Sequence, residues 1–291
     1  MNAVLRRARP WLGTLVEIRA EALDEAHARA AVEAAFAEVA AVHRCMSFHE
    51  AASDLSRLHA QRVGTPVDVD PRTADVLRAA LELAELSRGR FDPTIAGDLV
   101  ARGFLPAPAS PFTPDAHADW RDVELLGGDR VRLRRALWLD LGGIAKGYAV
   151  DRAIDALLAA GAVQALVDAG GDLRVAGPRQ ETVHLRGADG GCGAVAVEIR
   201  DAALATSAGG ATRRYRGGRW IGTHLAGRSG RSVGTFSSAS VTAPTCLVAD
   251  ALTKIVFSAP PALARELLAR YRAQAVRHSA RHGWRLQGEA A

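Results

Sequence analysis

The sequence contains very little lysine. Of its 37 Lys and Arg residues only Lys146 and Lys254 are lysines, and arginine supplies the cation at every other position. An ammonium is a compact, strongly hydrated charge, whereas a guanidinium is a flat fork of donors, so the two are not interchangeable at a specific contact. The two lysines are therefore the first candidates for a functional role.

Aromatic residues are also scarce, at 5% of the chain. The formal charge of +5 and the pI of about 9.6 would suit an anionic partner, but the arginines are scattered along the chain. Nucleic-acid binding needs clustered basic residues, and single strands also need aromatic side chains for stacking. The composition therefore favours an arginine-rich, solvated surface over a nucleic-acid interface.

The sequence also has few cysteines and no long apolar run. The three cysteines, Cys45, Cys192 and Cys246, lie far apart and show neither zinc-ligand spacing nor the even count of a disulfide framework. No apolar run approaches the roughly 20 residues that a membrane span needs. The first 20 residues carry basic side chains without an apolar signal segment. We therefore expect reduced thiols and a cytoplasmic protein.

The 291 residues suffice for one large domain or two closely packed ones, and 48% of them are hydrophobic. Long amphipathic stretches alternate unevenly with hairpin-like stretches, and this pattern predicts an α+β fold with mixed or antiparallel sheets flanked by helices. No repeat or linker is visible, so the prediction is a single domain over residues 1–291, with two intimate subdomains as the alternative. The predicted helices are 24–46, 74–89, 145–161, 245–258 and 262–272. The predicted strands are 14–20, a hairpin within 122–133, 136–141, and strands within 165–177, 182–187 and 194–200. Residues 104–120 are predicted as a loop.

The stretch LDLGGIAKGYAVDR, residues 139–152, places Lys146 just after a Gly-Gly turn. Backbone amides at such a turn and at the start of the following helix favour an anion. An ammonium in the first helical turn opposes the helix dipole unless an anion is bound there. A phosphate contact is the functional interpretation, and a surface lysine is the structural one. The loop is neither a Walker A nor a Rossmann motif.

Three further Gly-rich stretches carry polar side chains. VDAGGDLRVAG places Asp172 after a Gly-Gly pair, which suits either a ligand contact or a plain hairpin turn. ATSAGGATRR, with Thr206 and Ser207, suits a phosphate-contacting loop or an ordinary turn equally well. In WIGTHLAGRSGRSV, the expected exposed loop gives His224 a chance of acting as an acid or base.

The stretch APTCLVADALTK brings Asp250, Thr253 and Lys254 onto one helical face. Its carboxylate and hydroxyl oxygens suit a hard cation such as Mg²⁺. An Asp250–Lys254 ion pair on the surface is the equally weighted alternative.

Taken in order, these stretches resemble the ApbE family of FAD:protein FMN transferases. The resemblance covers most of the chain and rests on several blocks that follow the family's order. These blocks are LGTLVEI (12–18), MSFHEAASDLSRLH (46–59), GRFDPTIAGDLV (89–100), LDLGGIAKGYAVD, LVDAGGDLRVAG, ATSAGG and SVTAPTCLVADALTK (240–254).

The resemblance implies an enzyme that binds FAD and Mg²⁺ and moves the FMN half onto a threonine hydroxyl of an acceptor protein, with release of AMP. It further implies that His224 is the catalytic base. The metal ligands would come from Gly143, Asp250 and Thr253. The implied FAD-binding positions are Met46, Ser47, Asp92, Lys146, Gly170, Gly171, Asp172, Thr206 and Ser207.

Several positions depart from the family's pattern. The family resembles HIIDPRTGRPV where this chain reads HLAGRSGRSV after and including His224, so the Asp-Pro pair is missing. Lys254 stands where the family has a threonine, and it would take the place and charge of the cation or pair with Asp250. His49 and His59 replace a tyrosine and an asparagine. Many family members are exported lipoproteins, whereas this sequence predicts a cytoplasmic protein.

Two alternatives share the same contacts. One is a Mg²⁺-dependent pyrophosphatase that cleaves FAD to FMN and AMP, with water in place of the threonine. The other is a flavin-binding protein without catalysis.

Overall fold

The computed structural model of the protein is organised around a sheet of eight antiparallel strands. It describes residues 2–188, 192–210 and 212–287, apart from the side chains of residues 192–194 and 228. The strands are β1 (Ala3–Trp11), β2 (Thr14–Ala22), β3 (Val67–Asp68), β4 (Val123–Leu126), β5 (Arg130–Leu133), β6 (Gln164–Ala169), β7 (Asp172–Ala176), β8 (Glu181–Arg186), β9 (Cys192–Ile199), β10 (Ala202–Ala208), β11 (Arg214–Arg216), β12 (Arg219–Ile221), β13 (Leu225–Ala226), β14 (Arg231–Ser232), β15 (Ser237–Ala243), β16 (Gln274–Ser279) and β17 (Gly283–Gln287).

Seven α-helices accompany these strands in the described residues. They are α1 (Glu25–Met46), α2 (Asp54–Ala60), α3 (Pro71–Leu86), α4 (Ala96–Ala101), α5 (Ala145–Ala159), α6 (Cys246–Ser258) and α7 (Pro261–Arg270), with 3-10 turns at Trp120–Asp122 and Gly227–Ser229.

The central sheet has the strand order β1-β2-β6-β7-β10-β15-β16-β17. Strand β2 shows why its sequence forms a strand, because Val16, Ile18, Ala20 and Ala22 alternate onto one face and are buried there. The three helices α1, α5 and α6 lie side by side on the sheet: α1 packs on β1 and β2, α5 on β6 and β7, and α6 on β10 and β15. Their apolar faces form the main core with the sheet.

A hairpin of β8 and β9 contributes to a second, smaller hydrophobic core. The core contains Leu173 and Val175 of β7 together with Leu185, Ile199 and Leu204. Three smaller sheets complete the architecture, formed by β3-β5-β4, β11-β12 and β13-β14. The α+β class predicted from the sequence is confirmed, with antiparallel pairing throughout the central sheet. The single-domain prediction stays a prediction.

The contact between α5 and α6 is unusually close and decides where the site lies. A Cβ added to Gly147 of α5 would lie 2.2 Å from the Cys246 carbonyl oxygen, so only glycine fits there. The Asp151 carboxylate, one turn on, accepts hydrogen bonds from the amides of Cys246 (2.9 Å) and Leu247 (2.8 Å). Asp151 therefore caps the start of α6 from a neighbouring helix.

Two local predictions were wrong. Residues 136–141 were predicted as a strand, but they pair with no strand of the described chain. Instead the Leu139 amide donates to His59 Nε2 (2.8 Å) and the Asp140 amide donates to the Pro93 carbonyl (2.8 Å). Residues 205–214 were predicted as a loop or turn, but β10 includes the first four of them, 205–208. Ala211, within that stretch, and the Cys192 side chain lie outside the described residues.

Among the described helices, none combines the length and apolar character that a bilayer crossing would require.

Candidate functional site

A cavity of about 610 Å³ opens beside the start of α5. The end of α1, the turn before α5, the β6–β7 turn, β10 and the segment before β13 all border it. It brings together nine of the thirteen residues that the sequence singled out. These are Met46, Ser47, Asp92, Gly143, Lys146, Gly170, Thr206, Ser207 and His224.

The other four predicted residues do not line the cavity. They are Gly171, Asp172, Asp250 and Thr253. Asp172 and Asp250 nevertheless contact lining residues, because each forms an ion pair with a lysine that lines the cavity. Both lysines of the chain, Lys146 and Lys254, thus border one space.

Lys146 lies in the first turn of α5, and its ammonium contacts the Asp172 carboxylate at the start of β7. The Asp172 side chain is 2% exposed and the Lys146 side chain 31%. The functional interpretation of the sequence predicted a bound phosphate near this ammonium, and in the structure the Asp172 carboxylate provides an anion there. Burial lowers the pKa of Lys146, although the nearby Asp250 carboxylate acts the other way.

Lys254 lies one helical turn beyond Asp250 on α6, and its ammonium contacts Asp250 Oδ1. It also donates to the Asp250 carbonyl oxygen at 3.1 Å. The pair is not at the surface, because the Asp250 side chain is 0% exposed and that of Lys254 is 15% exposed. Burial alone would raise the pKa of Asp250, but Lys254 and then Lys146 hold it below its ordinary value.

The second oxygen of Asp250 faces α5. The Gly147 amide donates to Asp250 Oδ2 at 3.2 Å. This amide is one of those at the start of α5 that lack a partner within the helix. The sequence predicted an anion at this helix start, and the Asp250 carboxylate occupies part of that position.

Two of the three predicted magnesium ligands, Asp250 and Thr253, are hydrogen-bonded to protein groups, and the third, Gly143, lies beside Lys254. Thr253 Oγ1 donates to the Asp250 carbonyl oxygen (2.6 Å) and lies 2.7 Å from Ser207 Oγ. The Lys254 stem runs beside Gly143, since a Cβ added there would lie 3.5 Å from Lys254 Cε. No cluster of three or more His, Cys, Asp or Glu ligands occurs in the described part of the chain. While Lys254 holds this position, the arrangement does not fit a divalent cation.

Strand β10 presents Thr206 and Ser207 to the cavity. Thr206 Oγ1 lies 2.8 Å from Ser240 Oγ of β15, and Ser207 is buried against Thr253. The β6–β7 turn approaches from the other side at Gly170, whose φ is +70° and where a Cβ would lie 2.4 Å from Thr14 Oγ1. The Gly-Gly pair therefore forms a hairpin turn whose first residue borders the cavity.

His224 was predicted in an exposed loop, but the structure places it partly buried between β12 and β13. Its ring lies 5.5 Å from the Phe257 ring at an angle of 33°. Burial, followed by the charge of Lys254, lowers the pKa of His224 to about 4. The imidazole is therefore neutral at neutral pH and is able to accept a proton.

The early block contributes the remaining predicted residues. Met46 is buried at the end of α1, and Ser47 Oγ accepts from the His49 amide at 3.2 Å. Asp92 Oδ1 accepts from the Thr94 amide (2.9 Å) and from Thr94 Oγ1 (2.6 Å), so this carboxylate also holds its own turn.

Sequence reasoning did not single out Asp140, which also lines the cavity. Its Oδ1 accepts from the Gly142 amide at 2.9 Å, and burial raises the pKa of its carboxyl. The signal was present, since Asp140 lies within the same LDLGG stretch that carries Lys146. Phe48, Phe91 and Phe104 give the cavity apolar walls that no spacing in the sequence revealed.

The sequence is similar to those of several known proteins. The sequence model of the ApbE family matches residues 12–277. The chain is 34% identical over 176 residues to a FAD:protein FMN transferase of Rhodobacter capsulatus, covering 57% of this chain and 33% of that protein. It is 30% identical over 237 residues to one of Treponema pallidum, covering 72% of this chain and 65% of that protein. The chain thus spans less than two thirds of the length of these relatives.

Solved structures share the fold. The ApbE protein of Thermotoga maritima superposes with a TM-score of 0.80 at 24% identity, covering 99% of this chain and 96% of that one. The flavinyl transferase ApbE of Pseudomonas stutzeri, in its apo form, superposes with a TM-score of 0.81 at 21% identity, covering 100% and 98%.

Proposed function

The chain belongs to the ApbE family, and we propose that it transfers the FMN half of FAD to a threonine hydroxyl of an acceptor protein, releasing AMP. One observation carries the proposal: the cavity brings both lysines of the chain and the partly buried His224 to one place. Two cations suit a pyrophosphate, and a neutral imidazole suits an acidifying hydroxyl. The cavity volume of about 610 Å³ lies in the range of small-molecule sites.

In the proposed reaction the threonine Oγ attacks the phosphorus on the FMN side of the pyrophosphate. The new Oγ–P bond forms as the P–O bond to the AMP phosphate breaks, and AMP leaves with that oxygen. His224 takes the proton of the hydroxyl. Lys146 and Lys254 stabilise the negative charge that develops on the phosphate oxygens.

The site residues do not fit the magnesium ion that the family resemblance implies. The family resemblance predicts Mg²⁺ at Gly143, Asp250 and Thr253, where a divalent ion would polarise the phosphates. The Lys254 ammonium occupies the contact to Asp250 that such an ion would need. No step of the proposed reaction is therefore assigned to a metal.

A product analysis tests the proposal. The protein is incubated with FAD and a pool of threonine-bearing peptides, with and without Mg²⁺, and peptide mass and free AMP are measured. We expect a covalent FMN–threonine adduct and AMP in equal amounts. Free FMN and AMP without adduct would indicate the pyrophosphatase instead, and FAD binding without turnover would contradict both enzymatic functions.

His224→Asn gives a matched test of the base. A lost general base lowers the rate by roughly 10²–10⁴-fold. FAD affinity, measured by flavin fluorescence, should stay within about threefold of the wild type, because the imidazole is not assigned to ground-state binding. Equal loss of affinity and rate would show that His224 positions FAD rather than accepting the proton.

The proposal includes a cytoplasmic or cytoplasm-facing acceptor protein, since the sequence predicts a cytoplasmic enzyme. Fractionation of the native cells with an antibody to the chain tests this placement. Recovery with the exported proteins would overturn it.

A further inference from the structure

The Lys254–Asp250 pair occupies the position at which the family resemblance predicts a metal ion. Asp250 offers two carboxylate oxygens, and both are in use: Lys254 takes Oδ1 and the Gly147 amide takes Oδ2. The Lys254 stem lies beside Gly143, a second of the three predicted ligands. An ammonium therefore occupies the Asp250 oxygen that the ion would need, and its side chain borders a second predicted ligand.

The ammonium still has a donor to offer. It carries three N–H groups, and the hydrogen bonds that the described residues make with Nζ go to Oδ1 and to the carbonyl oxygen of Asp250. Lys254 itself lines the cavity. Its third donor can therefore meet an anionic ligand without breaking the pair.

A divalent ion and this ammonium exclude each other. Both would need the same carboxylate oxygen, and two cations within contact distance repel strongly in a buried setting. The Asp250 side chain is 0% exposed, so water does not screen the contact. Binding of Mg²⁺ at Asp250 would require Lys254 to leave, and its ammonium would lose both hydrogen bonds to Asp250.

We propose that Lys254 is a built-in cation that replaces the divalent metal of this site, so that the chain binds the pyrophosphate of a dinucleotide such as FAD without Mg²⁺. The identity of the ligand rests on the proposed function, whereas the replacement of the metal rests on the geometry of Asp250, Gly147 and Lys254. The two parts are therefore tested separately.

The first experiment measures metal binding alone, by calorimetric titration of Mg²⁺ and Mn²⁺ into the protein without FAD. We expect no saturable binding to the wild type and the appearance of one site in Lys254→Thr, which removes the ammonium and adds a hydroxyl ligand. Saturable binding to the wild type that Asp250→Asn abolishes would overturn the proposal, and so would a Lys254→Thr protein that binds no metal. This readout does not depend on transferase activity.

The second experiment measures FAD affinity by flavin fluorescence in EDTA and in excess Mg²⁺. We expect the wild type to give the same affinity in both, within about twofold, and Lys254→Thr to bind about tenfold more weakly in EDTA and to recover with Mg²⁺. The matched control is Lys146→Met, which removes the other cation of the cavity and should weaken binding equally in both buffers. Wild-type affinity that collapses in EDTA would contradict the proposal.

Folding is monitored by thermal melting, because a lone Asp250 carboxylate left buried destabilises the protein. The double variant Asp250→Asn with Lys254→Met removes both charges together and keeps the test valid if the single variant unfolds. It should bind FAD weakly, and Mg²⁺ should not restore it. If the wild type binds no FAD at all, the proposed function fails while the metal titration still decides the role of Lys254.

Discussion

Lys146 forms an ion pair with a carboxylate on a neighbouring strand, whereas Lys254 forms one with a carboxylate one turn away on its own helix. The first pair joins α5 to β7 over 26 residues of sequence, and the second lies within α6. The exposure differs as well, at 31% for the Lys146 side chain and 15% for that of Lys254. The two ammonium groups border one cavity but are held by different means.

The difference indicates which lysine is able to move. The Lys146 side chain has partial access to water. Its ammonium can therefore leave Asp172 and contact a ligand without first having to become exposed. Asp250 is fully buried and also holds the start of α5 through Gly147. We therefore expect the Lys254–Asp250 pair to stay fixed when a ligand binds and the Lys146–Asp172 pair to rearrange.

Removing the carboxylate of each pair should produce the largest difference in stability between the two pairs. Asp250→Ala leaves a buried ammonium and the Gly147 amide without their acceptor, and we expect a loss of about 3–5 kcal/mol in the free energy of unfolding. Asp172→Ala should cost about 1–3 kcal/mol, because the Lys146 ammonium can turn to water. Urea unfolding measures both.

The exposed pair of Asp75 and Arg78 on α3 is the control for these two variants. Asp75→Ala should change stability by less than about 0.5 kcal/mol. Equal losses for Asp250→Ala and Asp172→Ala would show that the two pairs do not differ as described.

Gly147→Ala should disturb both pairs at once. The added Cβ would lie 2.2 Å from the Cys246 carbonyl oxygen, so α5 and α6 must separate. We expect a loss of about 1–3 kcal/mol, measured by thermal melting, and weaker FAD binding. Gly127→Ala is the control, because nothing lies within 4 Å of a Cβ at that turn. A Gly147→Ala protein with wild-type stability would mean that the helices tolerate wider spacing.

Acid should lower the stability of the folded protein through His59, which lies near the Lys254 side of the cavity. This side chain is 1% exposed, and its Nε2 accepts from the Leu139 amide just before the turn that Lys254 packs against. Burial lowers the pKa of His59 to about 4 from 6.5, so the unfolded chain takes up a proton first as the pH falls. Stability is therefore complete above pH 6.5 and falls towards pH 4, by about 1.4 kcal/mol per pH unit from this residue.

His59→Gln tests this share, because a glutamine places an acceptor near the position of Nε2 but does not titrate. We expect a shallower loss of stability between pH 6.5 and 4 in urea unfolding series. Part of the pH dependence of stability should remain in this variant, because the pKa of His224 is also lowered to about 4. The exposed His117→Gln serves as the control. An unchanged slope in His59→Gln would rule out this assignment.

Replacing each lysine by arginine should give the smallest effects. Lys146→Arg is expected to change FAD affinity by less than about threefold, since the side chain is partly solvated and its partner lies across the fold. Lys254→Arg should weaken affinity about tenfold, because a wide guanidinium does not fit beside Gly143. Flavin fluorescence titration measures both, and the opposite order would contradict the fixed and adjustable roles.

Much of the helical framework was predictable because its signals are local. The apolar spacing of α1 and the glycine after α5 mark these helices directly in the sequence. Strands β10 and β15 were missed because ALATSA and SSASVTA consist of small residues with little alternation. Their strand structure depends on pairing with each other and with β7 and β16, and the sequence pattern does not encode that pairing.

The site was predictable to the extent that rarity and turn chemistry mark single positions. The scarcity of lysine pointed to both lysines, and both line the cavity. The burial of the Asp250–Lys254 pair was not predictable, because it depends on how α5 packs against α6. Asp140, by contrast, lies in the LDLGG stretch that the sequence already marked, and it was overlooked although it lines the cavity.

The Asp151 carboxylate has a consequence for how the molecule opens. It supplies the cap of α6 from a position 95 residues earlier in the chain, so α6 acquires this cap only after α5 has docked. The amides of Cys246 and Leu247 should then exchange with solvent deuterium at the same slow rate as the interior of α5, rather than at the faster rate of a fraying helix end. On the exchange timescale the two helices that carry the lysines behave as one cooperative unit.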